Sequence, residues 1–202
     1  MVYRALGTCS NTIQQTLDLA FVSFEVSGQQ WAYETRQVAS YPYTQEWQNR
    51  LQGAVSLAAL DYMQLHVDYG HLVGNMAKQF IHDQQLDYQV QLIGVAGHSG
   101  LHSLSTKINH QLGDAAAVAA ITGVNVVSDF NNINLALGGH TISVVNHAEK
   151  ILNALEPAAY KESIAAAFFA VLRWREENNF FSADSDAVRD SIGGAVWVGQ
   201  EW

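Results

Sequence analysis

Val124-Asn125-Val126-Val127-Ser128-Asp129-Phe130-Asn131-Asn132-Ile133-Asn134-Leu135-Ala136-Leu137-Gly138-Gly139-His140 is the stretch whose reading decides the fold. The β-branched run Val124 to Val127 predicts a short buried strand, broken by Ser128 and Asp129 before an apolar segment that closes on two glycines. A carboxylate and several amides thereby come to the carboxyl end of a strand. In open α/β sheets side chains and loop backbone converge there without disturbing the core, which makes it the first place to look for a ligand. Gly138-Gly139 admits a close backbone approach or a turn with positive φ. The same pattern also suits an ordinary strand, turn and glycine-capped segment that binds nothing.

Outward from this stretch, Asp114 to Thr122 reads as an alanine-rich helix and Tyr88 to Val95 as the strand before it, followed by a polar, glycine-containing loop through Ser105. Pro42 and Thr44 mark a helix entry. From Gln45 to Gln85 apolar residues recur every three to five positions, with Gly53 and Gly70 as possible breaks, so this region is one long helix or two in succession. Met63 and Met76 within it read as core filling. Tyr3 to Gly7, Leu17 to Val26 and Trp31 to Val38 predict an antiparallel meander turning at Ser27-Gly28. After the glycine pair, Val144 to Leu155 reads as a short helical stretch and Glu156-Pro157 as a break. Ala158 to Asn178 follows as a helix with Ile164, Phe168, Val171 and Trp174 on one face.

Composition bounds the function. The chain of 202 residues suffices for one full core or two small ones, and 49% apolar against 14% charged residues marks a globular protein. No apolar run approaches the ~20 residues that cross a bilayer, so no membrane partner is expected. A net charge of -9 with ten scattered basic residues argues against a nucleic-acid partner. Cys9 is the single cysteine, which excludes an intrachain disulfide and a cysteine zinc cage. With a start that runs directly into strand-like sequence, this predicts a cytoplasmic protein.

The quoted stretch also carries a resemblance. Val126-Val127-Ser128-Asp129-Phe130, then Ala136-Leu137-Gly138-Gly139, resembles the most diagnostic segment of the anhydro-N-acetylmuramic acid kinases, bacterial sugar kinases of the actin/hexokinase/Hsp70 type that recycle cell-wall muramic acid. The family pattern opens Asp-Phe-Arg, places a catalytic Asp five residues after the first, and closes Ala-x-Gly-Gly-Gln-Gly-Ala-Pro. Here Asn134 stands where the family has its base, and His140-Thr141-Ile142-Ser143 replaces the last four. The resemblance implies a ribonuclease H-like α/β domain: a three-strand antiparallel meander, helix, parallel strand, helix, parallel strand. A full kinase has two such halves with the nucleotide between them, and one is seen. Lys161-Glu162-Ser163, Val171-Leu172-Arg173-Trp174-Arg175 and Arg189-Asp190-Ser191 resemble the family's carboxyl-terminal end. The expected organisation is therefore a kinase amino-terminal half over 1–145, a junction at 146–157 replacing the second domain, and a carboxyl-terminal helix and tail, 158–202, packed on the same domain.

The resemblance also implies site residues. Gly7 to Asp18 resembles a Ser-Gly-Thr-Ser-x-Asp-Gly-x-Asp phosphate loop, on which Ser10, Asn11, Thr12, Gln15 and Asp18 become the nucleotide-side positions. Ser10, Thr12 and Asp18 match; Asn11, Ile13, Gln15 and Thr16 do not, so the MgATP that the family implies is poorly provided for. His98, His102 and Gln111 resemble segments placed near the sugar, and Asp129, Gly138 and Gly139 join them as substrate-side positions. His98, His102 and His110 taken alone suit a metal, but Gly97 and Gly100 argue against a helix there and no carboxylate motif accompanies them, so no metal is expected. A carboxylate can take the proton of an attacking hydroxyl; the carboxamide of Asn134 cannot, although it can hydrogen-bond a sugar. Three functions follow: a non-catalytic muramyl-sugar-binding protein, an interaction module pairing with itself or a second-domain partner, and a sugar kinase that still transfers phosphate.

Overall fold

The computed structural model describes residues 1–103 and 105–200, so the last two residues of the expected 158–202 segment lie outside the described residues. The order is β1 (Val2–Asn11), β2 (Thr16–Ser27), β3 (Gln30–Pro42), α1 (Gln45–Gln52), α2 (Ala59–Asp83), β4 (Leu92–Val95), β5 (His98–Ser103), β6 (Ile108–Leu112), α3 (Ala115–Thr122), β7 (Asn125–Ser128), α4 (Asn132–Ala136), α5 (Val144–Leu152), α6 (Lys161–Trp174), α7 (Ser182–Ser185) and β8 (Ala195–Trp197). The main sheet runs β3-β2-β1-β4-β7-β8, and β5 and β6 form a separate hairpin. The first three strands pair antiparallel, while β1, β4 and β7 are parallel through Leu6↔Ile93 and Ile93↔Val126. This is the ribonuclease H-like topology, and it brings the carboxyl ends of β1, β4 and β7 to one edge.

Alternation along β2 divides the core between the two faces. Leu17, Leu19 and Phe21 point toward α2 and α3, and Ala20, Val22 and Phe24 toward α5 and α6. The ten residues Ser163 to Leu172 are all buried, which makes α6 a central helix rather than a one-faced surface helix. Its backbone lies directly on two strand glycines: a Cβ at Gly7 would stand 1.7 Å from the Ser163 carbonyl oxygen, and one at Gly94 2.1 Å from that of Ala166. Ile164, Phe168 and Phe169, fully buried there, each contribute about 1.5–3 kcal/mol.

Several expectations need correction. Gly70 does not break α2; a Cβ there would come within 2.5 Å of the Asp114 carbonyl oxygen, so the glycine admits the start of α3. Gly53 does end α1. The strand expected from Tyr88 begins at Leu92, because Tyr88 turns outward at φ 62° and β1 offers partners only from Ala5↔Leu92 onward. The loop expected after Val95 contains the β5–β6 hairpin, whose side chains alternate too weakly in polarity to announce strands. The helix expected over Ala158 to Asn178 is shorter, Lys161–Trp174, and the one expected to Leu155 ends at Leu152. Met63 and Trp174 are about half exposed, whereas Met76 packs on the core. β8, unforeseen, pairs antiparallel with β7 through Val126↔Trp197.

Candidate functional site

The quoted stretch ends β7 at the converging strand ends. Asp129 takes a left-handed backbone, φ 55°, a conformation that non-glycine residues adopt at a cost and that concentrates at sites. Its carboxylate accepts from Ser128 Oγ at 2.9 Å. Two residues on, the Asn131 amide donates to the Ile142 carbonyl at 3.2 Å and accepts from the Ile142 N–H at 3.0 Å. This two-point clamp folds residues 139–143 back over the strand ends. A cavity of about 310 Å³ lies beneath it, floored by Phe130, Val144 and Val145 and walled by Asn109 and Gln111 from β6, Asp129, Asn132 and Glu162.

Asn134, on α4, stands behind that wall and is fully buried. Its Nδ2 donates to the His140 carbonyl at 2.7 Å, and its Oδ1 has no partner among the described residues. Gly139 must be glycine, because a Cβ there would meet the Asn134 amide at 2.8 to 2.9 Å. Gly138 holds φ 85°. The N–H groups of this pair donate to Leu135 and Asn134 carbonyls, and their own carbonyls accept from Lys107 Nζ at 3.1 and 2.8 Å. The glycine backbone is thus committed within the protein.

The β1–β2 turn is likewise self-satisfied. Asn11 Oδ1 accepts from the N–H groups of Ile13 and Gln14 at 3.2 and 3.0 Å, the donors a phosphate loop would offer an anion. Asn11 Nδ2 donates to Asp18 Oδ2 at 2.9 Å, while Thr16 and Ser40 hydroxyls donate to Asp18 Oδ1 at 2.8 and 2.6 Å. Gln15 Nε2 reaches the Thr12 carbonyl, and Ile13 is 92% exposed at the tip. Both Asp18 oxygens therefore face neutral donors of the protein.

Between turn and hairpin runs a buried chain of hydroxyls. Ser10 Oγ lies 2.7 Å from His98 Nδ1 and accepts from Tyr43 OH at 2.9 Å, which is 2.7 Å from Tyr69 OH. Burial holds the His98 imidazole below its ordinary range, pushes the Tyr43 phenol up to about 12 and raises that of Tyr69 well above its usual value, so the chain is uncharged at neutral pH. Burial, with the nearby Glu162 and Asp18 charges, pushes the Cys9 thiol up to about 12, leaving no thiolate nucleophile. The hairpin is pinned to α2 through two imidazoles. Tyr62 OH, which accepts from the Leu101 N–H, lies 3.0 Å from His110 Nδ1, and the Gly113 N–H donates to His66 Nδ1 at 3.2 Å.

Of the positions implied by resemblance, Gln111 and Asp129 line the cavity together. His98 is buried against Ser10, His102 is exposed on β5 opposite Asn109, and Asn134, Gly138 and Gly139 build the loop behind the wall. Ser10, Asn11, Thr12, Gln15 and Asp18 gather at the β1–β2 turn, outside the cavity lining. Asn109, Asn131, Asn132 and Glu162 were missed as lining residues. Asn131 sits inside the decisive stretch and Glu162 inside a recognised motif, but only the fold shows that both face the same space.

The sequence profile of anhydro-N-acetylmuramic acid kinase matches residues 3–171. The chain belongs to the anhydro-N-acetylmuramic acid kinase family. The Brucella suis anhydro-N-acetylmuramic acid kinase is 29% identical over 168 residues, 78% of this chain and 44% of that protein. The Bacillus cereus anhydro-N-acetylmuramic acid kinase is 26% identical over 155 residues, 72% and 41% respectively. The chain thus spans about half the length of the curated relatives it matches. Among solved structures, RuvC of Thermus thermophilus superposes with a TM-score of 0.44 at 15% identity, over 87% of this chain and 96% of that one. The strand order described above, rather than that likeness, places this member of the kinase family among ribonuclease H-like folds.

Proposed function

We propose that this chain is a non-catalytic member of the kinase family: it holds an amino sugar of the cell-wall type in the cavity beneath the Asn131 clamp and does not phosphorylate it. One observation carries the reading. The position of the family's base is an amide, Asn134, buried and donating to the His140 carbonyl, and a carboxamide does not accept a proton near neutral pH. The MgATP that the family uses does not fit the β1–β2 turn, because Asn11 already fills the acceptor position for the Ile13 and Gln14 N–H groups and Asp18 already accepts from three donors of the protein. The cavity supports the sugar side: amides and two carboxylates over an apolar floor is the lining that hydrogen-bonds hydroxyls while packing a pyranose face. In this reading residues 146–157 take the place of a second domain, and the protein acts in the cytoplasm.

Calorimetric titration of the chain with 1,6-anhydro amino sugars, with and without MgATP, tests the proposal. Binding that MgATP leaves unchanged, without ATP consumption, is expected. ATP turnover in the presence of sugar would overturn it.

A second reading is favoured by the apolar side chains left uncovered in the turn before α2, at the start of α2 and on the adjoining hairpin: Val55, Leu60, Met63 and Leu101 are all exposed, Leu60 by 82%. This face then docks a second polypeptide, either another copy or a separate second domain. Light scattering decides it: a dimer supports docking, and a monomer at tens of micromolar, roughly the range of weak interfaces, removes the self-pairing form.

A further inference from the structure

Two carboxylates face the cavity and no cation answers them. Asp129 arrives from the end of β7 and Glu162 from the first turn of α6; the rest of the polar wall is largely amide, from Asn109, Gln111, Asn131 and Asn132. No lysine, arginine or histidine lines it among the described residues. Two neighbouring ammonium groups are engaged elsewhere: Lys107 on the Gly138 and Gly139 carbonyls, and Lys161 on Glu149 at 2.6 Å. The chain's net charge of -9 adds no compensating field.

Amides present donors and acceptors side by side and bind sugar hydroxyls and acetamido groups without regard to charge. A ligand carboxylate placed among them meets like charges instead, with no guanidinium or ammonium to pair with. We propose that the cavity selects an uncharged N-acetylhexosamine over the acidic muramyl sugar from which the family takes its name. The proposal rests on the reading of the cavity as a sugar site and deepens it by naming the ligand's charge class. Asn131 has a part in this: it stands where the family pattern quoted above has arginine, and it is occupied in clamping Ile142 rather than offering a charge.

The test is calorimetric titration of the full chain at pH 7 and low salt with 1,6-anhydro-N-acetylglucosamine, 1,6-anhydro-N-acetylmuramic acid and the muramyl amide, in which the lactyl carboxylate is neutralised. The glucosamine derivative should bind about tenfold tighter than the acid, since two partly screened like charges are together worth about that factor. The muramyl amide should recover most of the difference, and Glu162→Gln should narrow the gap roughly threefold, the share of one partly screened charge. Equal or tighter binding of the acid overturns the proposal. So does weak binding of the muramyl amide, which would assign the discrimination to the size of the lactyl group. If none of the three sugars binds, the sugar-site reading itself fails and takes this inference with it, a result distinct from the other two.

Discussion

Asn134→Asp separates a dormant kinase site from a dismantled one. The native amide is fully buried, donates to the His140 carbonyl at 2.7 Å and leaves Oδ1 without a partner among the described residues. An aspartate keeps the shape and loses the donor. Ionised, it sets a carboxylate against a carbonyl oxygen, with Lys107 already committed to the Gly138 and Gly139 carbonyls. Protonated, its O–H donates to that carbonyl and the site is satisfied. The folded state therefore holds the proton above the unfolded aspartate's ~3.9, by roughly 2–3 units for a buried, unpaired carboxyl. A raised folded pKa makes the variant comparable to the parent below about pH 4 and progressively less stable from about pH 4 to 7. At ~1.36 kcal/mol per unit the loss reaches about 3–4 kcal/mol at pH 7.5. Urea unfolding of parent and variant at pH 4 and 7.5, followed by tryptophan fluorescence, measures it; Trp31, packed edge-on against Phe168 at 5.1 Å, reports on the α6 side of the core. A stability difference independent of pH would refute the buried-amide argument. ATP consumption by the variant in the presence of a 1,6-anhydro sugar would refute the proposal that the nucleotide side is closed.

Gly94→Ala should cost at least ~3 kcal/mol, because its Cβ would stand 2.1 Å from the Ala166 carbonyl oxygen and α6 cannot retreat without opening the core; a loss under ~1 kcal/mol in urea unfolding would refute the close helix–sheet contact. His147 is buried between Phe169 and Phe181, and neither ring nitrogen has a hydrogen-bond partner among the described residues. Burial holds its imidazole below the ordinary range against the opposing pull of Asp184. The unfolded chain then takes up a proton that the folded one refuses, so stability is full above about pH 6.5 and falls below it. His147→Phe should raise stability at pH 7.5 by about 1 kcal/mol and flatten part of that acid loss; parallel pH profiles for variant and parent would refute the assignment.

Strands whose residues alternate or form β-branched runs were legible, and so was the helix from Asp114, whose cap donates nothing but accepts from Ala116 N at 2.9 Å. Beginnings and ends were less so. Pairing carries β1 on to Asn11 because β2 matches it residue for residue, whereas β4 waits until Leu92 for a partner. The β5–β6 hairpin escaped notice because anchors on α2, Tyr62 and His66, hold it in place of an apolar face of its own. At the site, Asp129 and Gln111 were named from sequence and do share a cavity, while Glu162 and Asn109 joined them only through the fold.

The sequence by itself determined the meander, the two parallel strands and the main helices between and after them, the family, and the replacement of a base by Asn134, because periodicity and residue chemistry are local properties. Tertiary structure alone decided which polar groups remain free. Asn11, Asp18, His98 and the Gly138-Gly139 backbone are consumed by partners in the protein, several of them distant in the chain. Asp129 and Glu162, 33 positions apart in the chain, are left facing one space. A hydrogen-bonding group is available to a ligand only when nothing nearer satisfies it, and what is nearer is set by packing.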